Sequence, residues 1–393
     1  MRRLTWRIAL LACALIVGAA MAWGPACARG ASLVIRAAQI QGFLLSAAKA
    51  EAQPYTVEAP TTVATRHGAI RARLYRPGIR IRRTVLLVPG VHAMGIDEPR
   101  LTGLSGELAA SGLAVLTMEL PDLMKYQFTP RSVDEIEDGI SWLARRHDLT
   151  PDGRIGVMGI SFAGGLSLVA AGRPTVKDKI VFVLSFGGHG SLPRTLKYLC
   201  TGIEPRRFDD PADAPPHVRP PHDYGVAVIL ASLADRVVPT EQVAPLREGV
   251  VTYLTASQID MVDKPKAATI FEAAKRQAAA LPEPAAHLMQ LVNARDVKTL
   301  GAALLPTVEG TEFPPSLSPE QSAPPGAPVY LLHGTDDTVI PSVETVLLAH
   351  HLEGKTRVKY LLSGLITHAE VDRAGAAADV VKLVSFWTEL LAE

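Results

Sequence analysis

Cysteine is nearly absent. Three occur in 393 residues, two of them in the first 27 positions (Cys13 and Cys27), which leaves Cys200 alone in the rest of the chain. A lone cysteine cannot close an internal disulfide, and no Cys/His spacing of the metal-binding kind is present. An oxidising compartment is therefore permitted but not required. Aromatic residues make up only 5%, too few to suggest stacking platforms for bases or sugars. An excess of one charge is missing as well: 40 Lys and Arg stand against 39 Asp and Glu, a formal charge of +1. That balance excludes a basic field of the kind that gathers nucleic acid, and an acidic tail aimed at a basic partner. Apolar residues are plentiful at 48%, enough for a large buried core.

The first 28 residues are unlike the rest. Arg2, Arg3 and Arg7 precede an uncharged run from Ile8 to Ala28. A basic start, an apolar stretch and Ala26-Cys27-Ala28 as an A-x-A site describe an export leader. Uncut, the same run is long enough to span a bilayer, for which about 20 residues suffice. Both readings imply export, to the periplasm or extracellular space or to a membrane surface. Residues 29–55 follow as an N-terminal segment. Within it Leu33, Ala37, Ile40 and Leu44 keep a helical period over Ser32 to Gln53, up to Pro54, which predicts one amphipathic helix packed on the domain or lying on a membrane.

From residue 56 the pattern turns to strands alternating with helices. TVATRHGAIRARLYRP reads as a hairpin turning at His67-Gly68. Thr84–Val88, Leu113–Met118, Arg154–Gly159 and Lys179–Phe186 are short apolar runs of the buried-strand type. Helices are predicted over Leu101–Ser111 and from Ser132 to Arg146, the latter with Ser132 and Glu135 as a capping box. The alternation stalls over 192–327, where proline-rich stretches surround helical patterns at Thr240–Leu254, Lys264–Leu281 and Pro284–Asn293. It resumes over 328–393 with strands at Pro328–Leu332 and Val358–Leu362. Such alternation predicts an α/β fold with a doubly wound, mostly parallel sheet. Residues 56–191 and 328–393 form its two parts, and 192–327 an inserted, mostly helical cap.

Ser161 has the most informative surroundings. It follows the strand RIGVMG and precedes the apolar helical run GGLSLVAA. A serine at so sharp a strand-to-helix turn presents its hydroxyl above the sheet edge on a strained backbone, and needs small residues two positions to either side. Gly159 and Ala163 stand there. The helix that follows aims its N–H groups at any developing anion.

VLLVPGVHAMG, MGISFAGG, LLHGTDDTVIP and SGLITHAE, in that order, resemble four signature turns of the α/β-hydrolase superfamily, in its dienelactone-hydrolase-like and peptidase-like branches. The resemblance covers about Thr56 to Leu391 apart from the cap. Pro89 stands where the family often has histidine, and Ala163 where it usually has glycine. The resemblance implies a triad with Ser161 as nucleophile, Asp337 as acid and His368 as general base. It also implies an oxyanion hole from the backbone N–H groups of Val91 and Phe162. A weaker copy of the acid turn, ASLADRVVP around Asp235, reads instead as a cap helix ending at Pro239. His92 and His189 flank turns at the same sheet edge and are candidates to line a pocket.

The implied activity is cleavage of a carboxylic ester through an acyl-enzyme, with no metal and no organic cofactor. The partner is a small-molecule ester carrying an apolar group, with no nucleic acid involved and membrane association through the N-terminus. The same triad would also serve a peptidase or an acyltransferase. A reading of another class is a catalytically silent, membrane-tethered binding module.

Overall fold

A computed structural model describes residues 24–38, 42–260, 263–366 and 373–393, with the backbone alone for 373–377. Most of the leader (1–23) and His368 lie outside the described residues. The strands are β1 (Tyr55–Val57), β2 (Thr61–Thr65), β3 (Gly68–Pro77), β4 (Arg83–Val88), β5 (Leu113–Met118), β6 (Ile155–Ile160), β7 (Ile180–Phe186), β8 (Val329–Gly334) and β9 (Val358–Ser363). The helices are α1 (residues 24–37), α2 (Phe43–Glu51), α3 (Pro99–Ala110), α4 (Pro121–Met124), α5 (Pro130–Ala144), α6 (Phe162–Ala171), α7 (Leu192–Thr201), α8 (Asp223–Val237), α9 (Thr240–Asp260), α10 (Lys264–Ala280), α11 (Ala285–Asn293), α12 (Val297–Glu309), α13 (Val343–Leu352) and α14 (Arg373–Leu390).

The strands form one sheet in the order β1-β3-β5-β4-β6-β7-β8-β9, with β2 also on β3. Along that order pairing is antiparallel from β1 to β5 and parallel from β5 to β9, and β2 is antiparallel to β3. Every residue of β5 is buried, as expected of a strand covered on both faces. Successive side chains point to opposite faces, so Leu86 and Leu87 enter different cores. Leu86, Leu116, Val157 and Val183 meet Val133, Ile136 and Ile140 of α5 and Leu166 of α6. Leu87, Val115, Met158 and Leu332 meet Leu33 of α1, Leu101 and Leu108 of α3, and Phe386 and Trp387 of α14.

Helices α7 to α12 occupy the stretch between β7 and β8, the region expected to be helical. Asp235 lies on α8, its carboxylate exposed and 2.7 Å from Arg247, as the sequence reading expects. Two expectations need correcting. The segment from Ser32 to Gln53 is two helices, with Gly42 at φ +90° before α2. The first of these, α1, also runs through Ala26-Cys27-Ala28, so the 28/29 boundary falls inside a helix anchored by Leu33 and an Arg36–Glu107 ion pair of 2.6 Å. Ser132 is not a cap either. Helix α5 starts at Pro130 with Thr129 in the N-cap position, because proline's missing N–H and fixed φ suit the first helical turn. Ser132 is then buried one turn in. Among the described residues no helix is long and apolar enough to cross a membrane.

Candidate active site

The parallel strands β4, β6, β7 and β8 carry the candidate residues on the loops after their C-terminal ends, the usual edge for a ligand in an open α/β sheet. Ser161 joins β6 to α6 at φ 55° and ψ −136°. This is a sparsely populated conformation for a residue with a side chain, costing on the order of 1–3 kcal/mol. Local hydrogen bonds and packing hold it there. The Ser161 N–H donates to the Phe186 carbonyl and the Gly164 N–H to the Ser161 carbonyl, both at 2.7 Å. A Cβ at position 159 would collide with the Ala163 carbonyl, and one at position 90 would come within 3.2 Å of Ser161 Cβ. The loop after β4 is thus pressed directly against the serine.

Val91 follows Gly90 on that loop, and Phe162 is the first residue of α6. Among the described residues neither N–H donates to a protein acceptor. The Phe162 ring packs between Phe128 at 4.6 Å and His189 at 5.4 Å between centroids. His189 is fully buried, with Nε2 2.8 Å from the Leu317 carbonyl. It packs closely against the serine helix, where a Cβ at position 165 would come within 2.6 Å of its Cε1. His92 lies beside Val91 with Nδ1 accepting from the Met94 N–H at 3.1 Å. Burial, reinforced by Arg100 and opposed by Glu98, pushes its imidazole down to about 4, so it is neutral near pH 7.

Asp337 occupies the loop after β8. Its Oδ1 accepts from the N–H groups of Val339 (2.8 Å) and Ile340 (3.0 Å). Its Oδ2 lies 3.5 Å from His333 Nε2 and faces Gly187, just after β7. Burial raises this carboxyl, but His333 and the two backbone donors outweigh it and hold it below its ordinary value. Asp336, next to it, is exposed and faces Arg219. Ile366, the last described residue before His368, packs its carbonyl against Gly334 at the end of β8.

The insertion reaches this edge at several points, a feature sequence reasoning missed. The Tyr224 hydroxyl of α8 donates to the Val91 carbonyl at 2.8 Å. Gln258 of α9 donates to both Tyr224 and Tyr126 at 3.2 Å. Beyond β8, the His222 N–H and the Arg219 guanidinium bond the Thr338 and Thr335 carbonyls. The available signal was small: one tyrosine at the start of the otherwise apolar YGVAVILAS. Glu98 and Arg100 are structural: Glu98 accepts from the Leu101 N–H to cap α3 and pairs with Arg100 at 2.7 Å.

The strand order, with β3 antiparallel to the strands from β5 to β9, and the strained serine between β6 and α6 define an α/β-hydrolase fold. The sequence matches no family model and no curated protein. Solved structures with a similar chain course include a hyperthermophilic esterase from the archaeon Pyrobaculum calidifontis, at 18% identity and a TM-score of 0.44 over 87% of this chain and 88% of that one. An acylaminoacyl peptidase of Pyrococcus horikoshii is 11% identical, with a TM-score of 0.43 over 87% of this chain and 42% of that one. Brefeldin A esterase, a bacterial homologue of human hormone sensitive lipase, is 14% identical, with a TM-score of 0.45 over 86% and 78%. At these identities and scores the likenesses carry no argument about chemistry.

Proposed function

We propose that this chain is a serine hydrolase that cleaves a carboxylic ester through an acyl-enzyme. The observation that carries the reading is the Ser161 turn, with its positive φ, the β4 loop pressed against it, and two backbone N–H groups left without protein acceptors. Strain of this kind persists only where the surroundings over-determine it, and it gathers at reactive sites. Ser161 Oγ attacks the ester carbonyl while His368 takes its proton. The N–H groups of Val91 and Phe162 hold the oxyanion. Collapse breaks the ester C–O bond, and His368 returns the proton to the departing alcohol. Water then attacks the acyl-enzyme by the same route and frees the acid. Asp337 orients His368 and stabilises its charged form. The apolar insertion over the edge favours an ester with an apolar acyl or alcohol group.

A fluorophosphonate probe should label the wild-type chain on Ser161 alone. Ser161→Ala should abolish labelling and lower kcat by a factor on the order of 10⁶, with the fold unchanged by circular dichroism. A wild-type chain that stays unlabelled would overturn the proposal. Across aryl esters of rising acyl length, kcat/KM should increase; best turnover of the acetate would remove the apolar-substrate part. Export belongs to the same reading and is supported by the basic and apolar residues 1–28. Cell fractionation should find the chain trimmed or with membranes, and untrimmed chain in the cytosol would refute export.

A further inference from the structure

A second concave site opens at the other end of the sheet, beside the starts of β4 and β5. It is a cavity of about 180 Å³ between α1, the end of α2, the β3–β4 turn and the end of α3. Four arginines are among the residues that line it, Arg29, Arg36, Arg80 and Arg82, against a single acidic one, Glu51. Arg36 is committed to Glu107 at 2.6 Å and to the Ser111 hydroxyl at 2.9 Å. Among the described residues Arg29, Arg80 and Arg82 form no ion pair, and Arg29 Nε is buried without a hydrogen-bond partner. Burial first, then the nearby Arg82, lowers the Arg29 guanidinium from its ordinary value, with Glu51 opposing.

Like charges gathered round a cavity, with a buried donor left over, lack an anion. The guanidinium fork is the side chain best matched to phosphate oxygens, which it binds in pairs. Helix α1, which supplies Arg29 and Arg36, directly continues the uncharged run that begins at Ile8. We infer that this cavity binds a phosphate group through Arg29, Arg80 and Arg82, with the headgroup of an anionic phospholipid as its source. The inference is independent of the chemistry at Ser161.

The test uses the full chain in detergent. Inorganic phosphate, compared with chloride at equal ionic strength and pH, should raise Tm in a saturable way. The rise should vanish in an Arg29→Gln/Arg82→Gln double variant, while a Lys double variant keeps part of it. Phosphate should also protect the peptide bearing Arg29 from phenylglyoxal in the wild-type chain, a readout that does not depend on the variants folding. No saturable rise and no protection would overturn the site. For the source, cosedimentation with phosphatidylcholine vesicles should increase several-fold when phosphatidylglycerol is included, and the Gln double variant should lose that gain. If phosphate stabilises but the vesicle gain survives in the double variant, free phosphate is the ligand and the lipid assignment falls.

Discussion

The turn carrying Ser161 and the turn carrying Asp337 sit two strands apart on the same edge, and they are built by different forces. At Ser161 the geometry is steric, since there is no room for a Cβ at position 159 and barely any at position 90. At Asp337 it is electrostatic, with two backbone donors and His333 arranged around one carboxylate. A steric turn fails when atoms are added and is indifferent to pH. A turn built on a carboxylate tolerates bulk but fails when the charge is removed.

After loss of the Ser161 hydroxyl itself, removing that charge gives the largest expected effect. Asp337→Asn should lower kcat by about 10³–10⁴-fold, by leaving His368 in the wrong tautomer. The carboxyl is held below its ordinary value in the folded chain, so its contribution to stability is present above the unfolded pKa of about 3.9 and is lost as pH falls through the lower folded value. Thermal melts of wild type and variant should therefore differ near pH 6 and converge in strong acid; a constant gap would show that the charge is not what stabilises the turn. Gly90→Ala tests the steric side. Its methyl group would press on Ser161 and the Ile160 carbonyl and shift the Val91 N–H, costing about 10²-fold in kcat, the scale of one lost oxyanion donor. That loss should be the same at every pH where wild type is active, and a pH-dependent loss would erase the contrast.

Tyr224→Phe should cost less, about tenfold in kcat with KM nearly unchanged, because it removes one neutral hydrogen bond to the carbonyl side of the same loop. Equal losses in kcat for Tyr224→Phe and Gly90→Ala would mean that the insertion, rather than local packing, sets the loop. Asp235→Asn should change activity by no more than about twofold, since among the described residues its exposed carboxylate pairs with Arg247 alone. A loss rivalling that of Asp337→Asn would reassign the acid.

Legibility in the sequence follows the same divide. Strand β5 was readable to the residue, since Leu113–Met118 is apolar but for Thr117 and lies between turns, and the Ser161 turn was readable because its steric demands select glycine. Asp337 needed the family pattern, as nothing local separates it from Asp336. The helix at Val297–Glu309 escaped notice because Pro306 interrupts its pattern. Strand β1 escaped because all three of its residues are exposed and show no alternation. The Ser132 capping box misled because two positions upstream Pro130 starts the helix. Tyr224 could not be placed from sequence, because its contact with Val91 spans 133 residues.

One face of the sheet is closed by elements from far apart in the chain: Leu33 of α1 near the beginning, Phe386 and Trp387 of α14 near the end. During synthesis, Leu87, Met158, Leu184 and Leu332 emerge long before α14 can cover them. The nascent chain therefore carries a broad greasy surface until α14 has been made. Domains tend to fold as units once their sequence is available, and exposed apolar surface invites aggregation meanwhile. Burial of that face waits on the synthesis of α14, so a truncation that stops short of Phe386 should accumulate as insoluble material or as clients of chaperones.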